Sequence, residues 1–237
     1  MSLHGLFPID KWSFKSHSIL KNLPEEDMEL LFQGMTEQQY GKGEVIFREN
    51  NAAYGIFFIL KGKVKKYKAD KTGKEQIIYV ANSGEIIGYH AVVLDERYPD
   101  SAATLEQSTI AFIPRESFLR AMEQSPRLAQ RLLKNLCHEF VVFSNTISLL
   151  AQHTVKERLA VTLILLREKF KEDHQDATDI GINISRADLA NMVGTGTENI
   201  VRFLTELKSD GIITTNGRKI YVQDVKRLIA LSGCGNL

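Results

Sequence analysis

The chain has 237 residues, long for one simple core and comfortable for two. Hydrophobic residues make up 43% and charged residues 25%, which excludes a disordered polypeptide. A formal charge of +1 excludes a nucleic-acid partner held by overall charge, so any such partner must meet a local patch.

The opening "MSLHGLFPIDKW" carries Lys11 but no apolar core or cleavage pattern, so no signal peptide is expected. No apolar run approaches the ~18 residues of a membrane span. Cys137 and Cys234 lie far apart and lack metal-ligand spacing, which argues for a reducing compartment and against a disulfide framework or a Cys-held iron–sulfur cluster. The expected location is cytoplasmic, with no membrane partner and no metal site.

Residues from about 15 to 40 read as helical, with Leu20, Leu23, Met28, Leu31 and Phe32 as the apolar members. From Val45 to Arg115 the texture changes to short β-rich runs: "EVIFRE", "YGIFFILKGKVKKYK", "EQIIYVA", "EIIGY", "AATLE" and "TIAFIPR". Glycines at turn spacing separate them, and the polar "KADKTGKEQ" predicts a hairpin tip. Many short strands with regular turns predict a jelly-roll-like domain of mainly antiparallel pairs.

From Glu116 the chain turns helical, and after Pro126 a long run has neither Gly nor Pro. Leu136, Phe140, Phe143, Ile147 and Leu150 alternate spacings of four and three, the seam of a coiled coil. Leu133, Cys137 and Val141 form a second stripe on a neighbouring face. Two arrangements cover both faces: a core helix packed on both sides within one subunit, or a helix packed on the β domain and on its twin in a homodimer.

"VKERLAVTLILLREKF" predicts an amphipathic helix, "KEDHQDATD" a polar loop and "IGINI" a short edge strand. Ser185 and Asp188 have the spacing of a helix-start cap, and Gly194 predicts the stop of the short helix between. A second helix is predicted from about Thr197 to Ser209, burying Ile200, Phe203, Leu204 and Leu207. Its other face presents Thr197, Glu198, Val201, Arg202 and Thr205. Two β-rich runs around Asn216-Gly217 then predict a hairpin, followed at once by Arg218 and Lys219. A helix-turn-helix with a hairpin after it is a winged helix. "DVKRLIAL" closes the chain as a short helix capped by Asp224.

From Ala151 onward there are 12 Lys/Arg against 11 Asp/Glu, so this domain is not basic as a whole. The acids gather at Glu172, Asp173, Asp176 and Asp179, leaving Arg186, Arg202, Arg218 and Lys219 as a candidate positive surface. Glu198 and Arg202 have a structural reading, a helix ion pair at i and i+4, with Thr195 and Glu198 as a capping box. They also have a functional one. At the start of a second helix lying in the major groove, Arg can grip guanine O6 and N7 and Glu can accept from cytosine N4.

The segment "SRADLANMVGTGTENIVRFLTELKSDGIITTNGRKIYV" resembles the DNA-binding domain of the Crp/Fnr family of bacterial transcription regulators, and the order of β domain, long helix and winged helix matches that family. The resemblance implies an α+β fold: a β-roll sensor domain with N-terminal helices over residues 1–125, a dimerisation helix over 126–152 and a winged helix-turn-helix domain over 153–237. It implies that Glu198 and Arg202 read bases, with Val201 against a thymine methyl and Thr197 beside them. Ser185, Arg186 and Thr195 would anchor phosphates, with Arg218 and Lys219 contributing from the wing. Leu136, Phe140, Phe143, Ile147 and Leu150 would form the dimer interface. The best-known members carry Ser or Arg where this chain has Thr197, so the preferred site is expected to differ from theirs at one or two base pairs.

The β domain resembles the cyclic-nucleotide-binding roll, and its effector region maps to Gly88, Tyr89, His90, Ser101 and Ala102 in "GEIIGYHAVVLDERYPDSAATLE". Cyclic-AMP binders place Glu on the ribose and Arg on the cyclic phosphate. Here Tyr89 and Asp100 stand at those positions, and a carboxylate repels an anion. Arg97 would need a shifted loop to replace the missing cation. No cyclic AMP binding is expected. The oxygen sensors of the family carry an N-terminal cysteine cluster, which this chain lacks, and haem, with His90 as the candidate ligand, is disfavoured. No cofactor is expected, and any effector is of unknown identity.

The expected function is a homodimeric, sequence-specific regulator controlled by a small effector other than cyclic AMP, with duplex DNA and RNA polymerase as partners. Its rivals are a cupin-like metal-dependent enzyme and an effector-free sensor whose winged helix binds protein. The enzyme is disfavoured because only His90 of six histidines falls in the β domain and no H-x-H pair occurs.

Overall fold

The computed structural model describes residues 3, 5–14, 16–172 and 180–235. Of the polar loop expected over 171–179, residues 173–179 lie outside the described residues. Packing divides the chain into two compact units. One runs from Phe14 to Phe140; the other joins the residues up to Ser13 with those from Val141 onward. The division therefore falls inside the long helix, whereas the sequence set boundaries at either end of it.

The first unit opens with α1 (His17–Leu20) and α2 (Glu25–Phe32). The helical expectation to residue 40 is overturned here: Thr36–Tyr40 is strand β1, paired antiparallel with β8 (Ser108–Pro114) from Thr36 opposite Phe112 to Tyr40 opposite Ser108. Its first four residues are exposed, so this polar edge strand has no apolar alternation to announce it.

The remaining strands are β2 (Val45–Phe47), β3 (Gly55–Lys61), β4 (Val64–Ala69), β5 (Glu75–Ala81), β6 (Ile86–Ile87) and β7 (Ser101–Thr104). They build two antiparallel four-stranded sheets, β1-β8-β3-β6 and β2-β7-β4-β5. Ile56, Ile59, Ile86, Ile110 and Ile113 are buried in one core with Phe118 of α4 (Arg115–Gln124). Each such side chain contributes about 1.5–3 kcal/mol by leaving water.

The run "EIIGY" is not one strand. The strand ends at Ile87, Gly88 turns the chain at φ +84°, and Tyr89–Leu94 forms helix α3. A Cβ at Gly88 would stand 3.1 Å from the Tyr98 ring, so both backbone and space call for glycine there.

Helix α5 (Pro126–Gln152) has 27 residues. It buries Leu128, Leu132, Asn135, Glu139, Val142 and Leu149, a stripe that alternates spacings of four and three apart from the half-buried Thr146. The stripe read from the sequence lies beside it. Phe140, Phe143, Ile147 and Leu150 are exposed, as are Leu133 and Val141, while Leu136 is half-buried against the roll core.

The second unit contains α6 (Val155–Glu172), β9 (Gly181–Asn183), α7 (Arg186–Val193), α8 (Thr197–Ser209), β10 (Ile213–Asn216), β11 (Lys219–Val222) and α9 (Val225–Ser232). Leu159, Leu163, Leu189, Ile200, Leu204, Leu207 and Leu228 are buried among these helices. Phe203, predicted as part of that stripe, is only half-buried. The hairpin β10–β11 pairs Asn216 with Lys219, leaving Gly217 and Arg218 in the turn, and β9 adds a third strand.

Candidate nucleic-acid interface and effector region

Helix α7 starts where Ser185 caps it: the Ser185 hydroxyl accepts from the Asp188 amide at 2.9 Å and donates to the Asp188 carboxylate at 2.6 Å. Gly194 ends it in the left-handed conformation at φ +70°, which reverses the chain within three residues and launches α8. The buried stripe of Ile200, Leu204 and Leu207 fixes the rotation of α8. That rotation leaves Thr197, Glu198, Val201 and Arg202 exposed together.

Neither local arrangement expected of this helix forms. Gly196, not Thr195, is the N-cap, and it has no side chain to cap with. Glu198 folds back towards Gly196 and is not ion-paired with Arg202. The Arg202 guanidinium instead donates to Asn199 Oδ1 at 3.3 Å and lies over the Phe203 ring at 4.6 Å. Asn199 in turn donates from Nδ2 to the Thr195 hydroxyl at 3.0 Å. Among the described residues, both charges on this face are thus left without a salt-bridge partner.

Arg186 is half-buried and braces the wing. Its Nη1 donates to the Arg218 carbonyl at 3.1 Å and its Nη2 to the Gly217 carbonyl at 3.4 Å. Burial holds its pKa below the ordinary arginine value. Arg218 and Lys219 themselves project from the turn and are exposed. Ser185, Arg186 and Thr195 are therefore all partly engaged within the unit.

The effector region of the roll is occupied by its own polar contacts. Tyr89, 2% exposed, donates to Glu139 of α5 and accepts from Asn135 Nδ2 at 2.8 Å. His90 Nε2 lies 2.7 Å from the other Glu139 oxygen. Burial and the Glu139 charge push the Tyr89 phenol far above its ordinary value, so it stays a donor. Ser101 accepts from the Glu49 amide at 2.9 Å, and Ala102 is fully buried.

Asp100, read from the sequence as an unpaired repulsive charge, is paired: Lys66 of β4 stands 3.0 Å from it, both side chains largely buried. The cation comes from a strand some thirty residues away, not from Arg97, whose guanidinium donates to the Asn50 carbonyl at 2.7 Å. At the two positions that the resemblance gives to ribose and phosphate stand a buried phenol and a carboxylate already paired with a cation. Sequence reasoning missed Asn135, Glu139 and Lys66. Their only signal was the i, i+4 spacing of Asn135 and Glu139 beside an apolar stripe.

No described helix is long and apolar enough to cross a membrane. Among the described residues no group of three or more His, Cys, Asp or Glu could hold a metal ion. With only Cys137 and Cys234 as thiols, the chain does not fit a Cys-held iron–sulfur cluster.

Comparison with known proteins agrees with both halves. A family model described as a cyclic nucleotide-binding domain matches residues 37–125, and one described as a Crp-like helix-turn-helix domain matches residues 157–231. The chain is 28% identical over 213 residues to the transcriptional activator protein anr of Pseudomonas aeruginosa, covering 90% of this chain and 87% of that protein. It is 28% identical over 192 residues to the anaerobic regulatory protein of Pasteurella multocida, covering 81% and 70%. The solved structure of FixK2 from Bradyrhizobium japonicum superposes with a TM-score of 0.73 at 24% identity, over 83% of this chain and 96% of that one, which establishes the shared fold.

Proposed function

We propose that this chain, which belongs to the Crp/Fnr family of transcription regulators, binds duplex DNA as a homodimer and reads a specific site through α8. The family consists of DNA-binding regulators and not of enzymes, which removes the cupin-like rival. The observation that carries the specific reading is the face of α8: Thr197, Glu198, Val201 and Arg202 exposed together above a buried apolar stripe.

With α8 in the major groove, Arg202 donates to guanine O6 and N7 and Glu198 accepts from cytosine N4. Val201 meets a thymine methyl, and Thr197 stands beside them at the helix start. Thr195 donates to a phosphate, while Ser185, whose one proton goes to the Asp188 carboxylate, meets a phosphate only by releasing that bond. Arg218 and Lys219 reach the backbone from the wing, held there by Arg186. The exposed apolar stripe Phe140, Phe143, Ile147 and Leu150, with half-buried Leu136, is the seam between two copies. Two copies present two α8 helices to half-sites about 34 Å apart.

The effector is not cyclic AMP, as the paired Asp100 and the engaged Tyr89 favour a closed effector region. RNA polymerase is the third partner, supported by the activator name of the Pseudomonas relative.

Arg202→Ala tests the core of this reading. A base reader loses ~1–3 kcal/mol of affinity on its preferred duplex and relaxes preference at one base pair, with thermal stability unchanged. Unchanged preference on a randomised duplex pool would remove Arg202 from the reading head.

A further inference from the structure

The base-reading face contains a chain of donors with a single direction. Arg202 Nη2 donates to Asn199 Oδ1 at 3.3 Å, and Asn199 Nδ2 donates to Thr195 Oγ1 at 3.0 Å. The Thr195 oxygen is thereby used as an acceptor, which leaves its own proton to donate outwards. Asn199 is half-buried between the two and donates and accepts with opposite ends of one planar amide, so it links the two neighbours through a single group. The Phe203 ring lies against Arg202 at 4.6 Å and limits its sideways excursion.

We propose that Asn199 is a positioning residue for DNA readout, tying the phosphate anchor Thr195 to the base reader Arg202. The proposal rests on the reading of Arg202 given above. A free arginine side chain loses rotamer entropy on gripping a base. Holding the guanidinium through Asn199 before contact spares part of that loss. When the Thr195 hydroxyl meets a phosphate oxygen, the amide polarises along the same direction and registers the guanidinium against the backbone. Asn199 contacts no base; it acts through Arg202.

The test uses the full-length protein and a duplex enriched by it from a randomised pool. Affinity is measured for that duplex, for every single base-pair change within it and for an unrelated duplex. The proteins are the unsubstituted chain, Asn199→Ala, Asn199→Asp, Arg202→Ala and the Asn199→Ala/Arg202→Ala pair. Asn199→Ala should weaken the selected duplex about three- to tenfold, mostly at the base pair that Arg202→Ala ceases to discriminate, and leave the unrelated duplex unchanged. It should add nothing in the Arg202→Ala background. Asn199→Asp keeps the acceptor for Arg202 and should retain discrimination at that pair while weakening all duplexes.

A uniform loss with Asn199→Ala, a loss that persists without Arg202, no loss at all, or lost discrimination with Asn199→Asp would overturn the positioning role. Should Arg202→Ala itself leave discrimination intact, the base-reader assignment fails, whatever Asn199 does.

Discussion

His90 and Glu139 stand 2.7 Å apart, one at the start of the short α3 and the other half-way along α5. Tyr89 holds the second oxygen of the same carboxylate, and Asn135 bridges phenol and carboxylate at 2.8 Å to each. One buried carboxylate thereby fastens the effector region of the roll to the helix whose next residue, Phe140, is 75% exposed.

Replacing Glu139 by Ala leaves the Tyr89 hydroxyl and an Asn135 donor buried without an acceptor. Unpaired buried polar groups cost about 1–3 kcal/mol each, so Glu139→Ala should lower unfolding stability by about 3 kcal/mol or more. Tyr89→Phe removes one donor while Asn135 and His90 still serve the carboxylate, and should cost about 1 kcal/mol. Urea denaturation curves give both values, and an equal loss in the two variants would contradict the ranking.

Acid should dissolve the same fastening. Burial raises the Glu139 pKa, but the His90 hydrogen bond and charge, with Tyr89 and Lys66, outweigh it and hold the carboxyl below its ordinary value. A carboxylate depressed in the folded state adds stability that is complete above its unfolded pKa, ~4.3, and vanishes as pH falls through the folded value. The stability gap between the unsubstituted protein and Glu139→Gln should therefore narrow as pH drops below about 4.3. Denaturation curves across that range that stay parallel would refute it.

Phe140 and Ile147 are 75% and 67% exposed on one face of a long helix. Introducing Glu at both should abolish the proposed dimer, because two charges would be desolvated per chain across its proposed seam. Sedimentation should move from a two-chain to a one-chain species while circular dichroism stays unchanged. A monomeric unsubstituted protein would eliminate the seam.

Calorimetric titration with cyclic AMP should show no binding up to millimolar ligand. Asp100→Ala frees Lys66 but still provides no group for the ribose, so it should not restore binding. Micromolar affinity in the unsubstituted protein would show that the Lys66–Asp100 pair opens for an anion.

What the sequence determined by itself was local. The Ser185 cap, the Gly194 stop, the i, i+3, i+4, i+7 stripe of α8 and the Asn216-Gly217 hairpin each lie within a few residues. Short-range sterics and hydrogen bonds suffice to specify them. The β-rich runs were legible for the same reason, as short stretches of strand-forming residues set between glycine turns.

Tertiary structure alone decided the rest, because its partners are far apart in sequence and polar. Thr36–Tyr40 is a strand only because β8 offers it an edge. Glu139 and Asn135 are polar, and a polar residue on a helix is ordinarily solvated. Their burial depends on Tyr89 and His90, which arrive from some fifty residues away. Lys66 of β4 neutralises Asp100, which stands just before the neighbouring strand β7. Even on α8, the sequence supplied the face but not the pairing: Glu198 and Arg202 have the spacing of an ion pair, yet Asn199 and Phe203 hold the guanidinium. Spacing says which groups can meet, and only the packed chain selects among them.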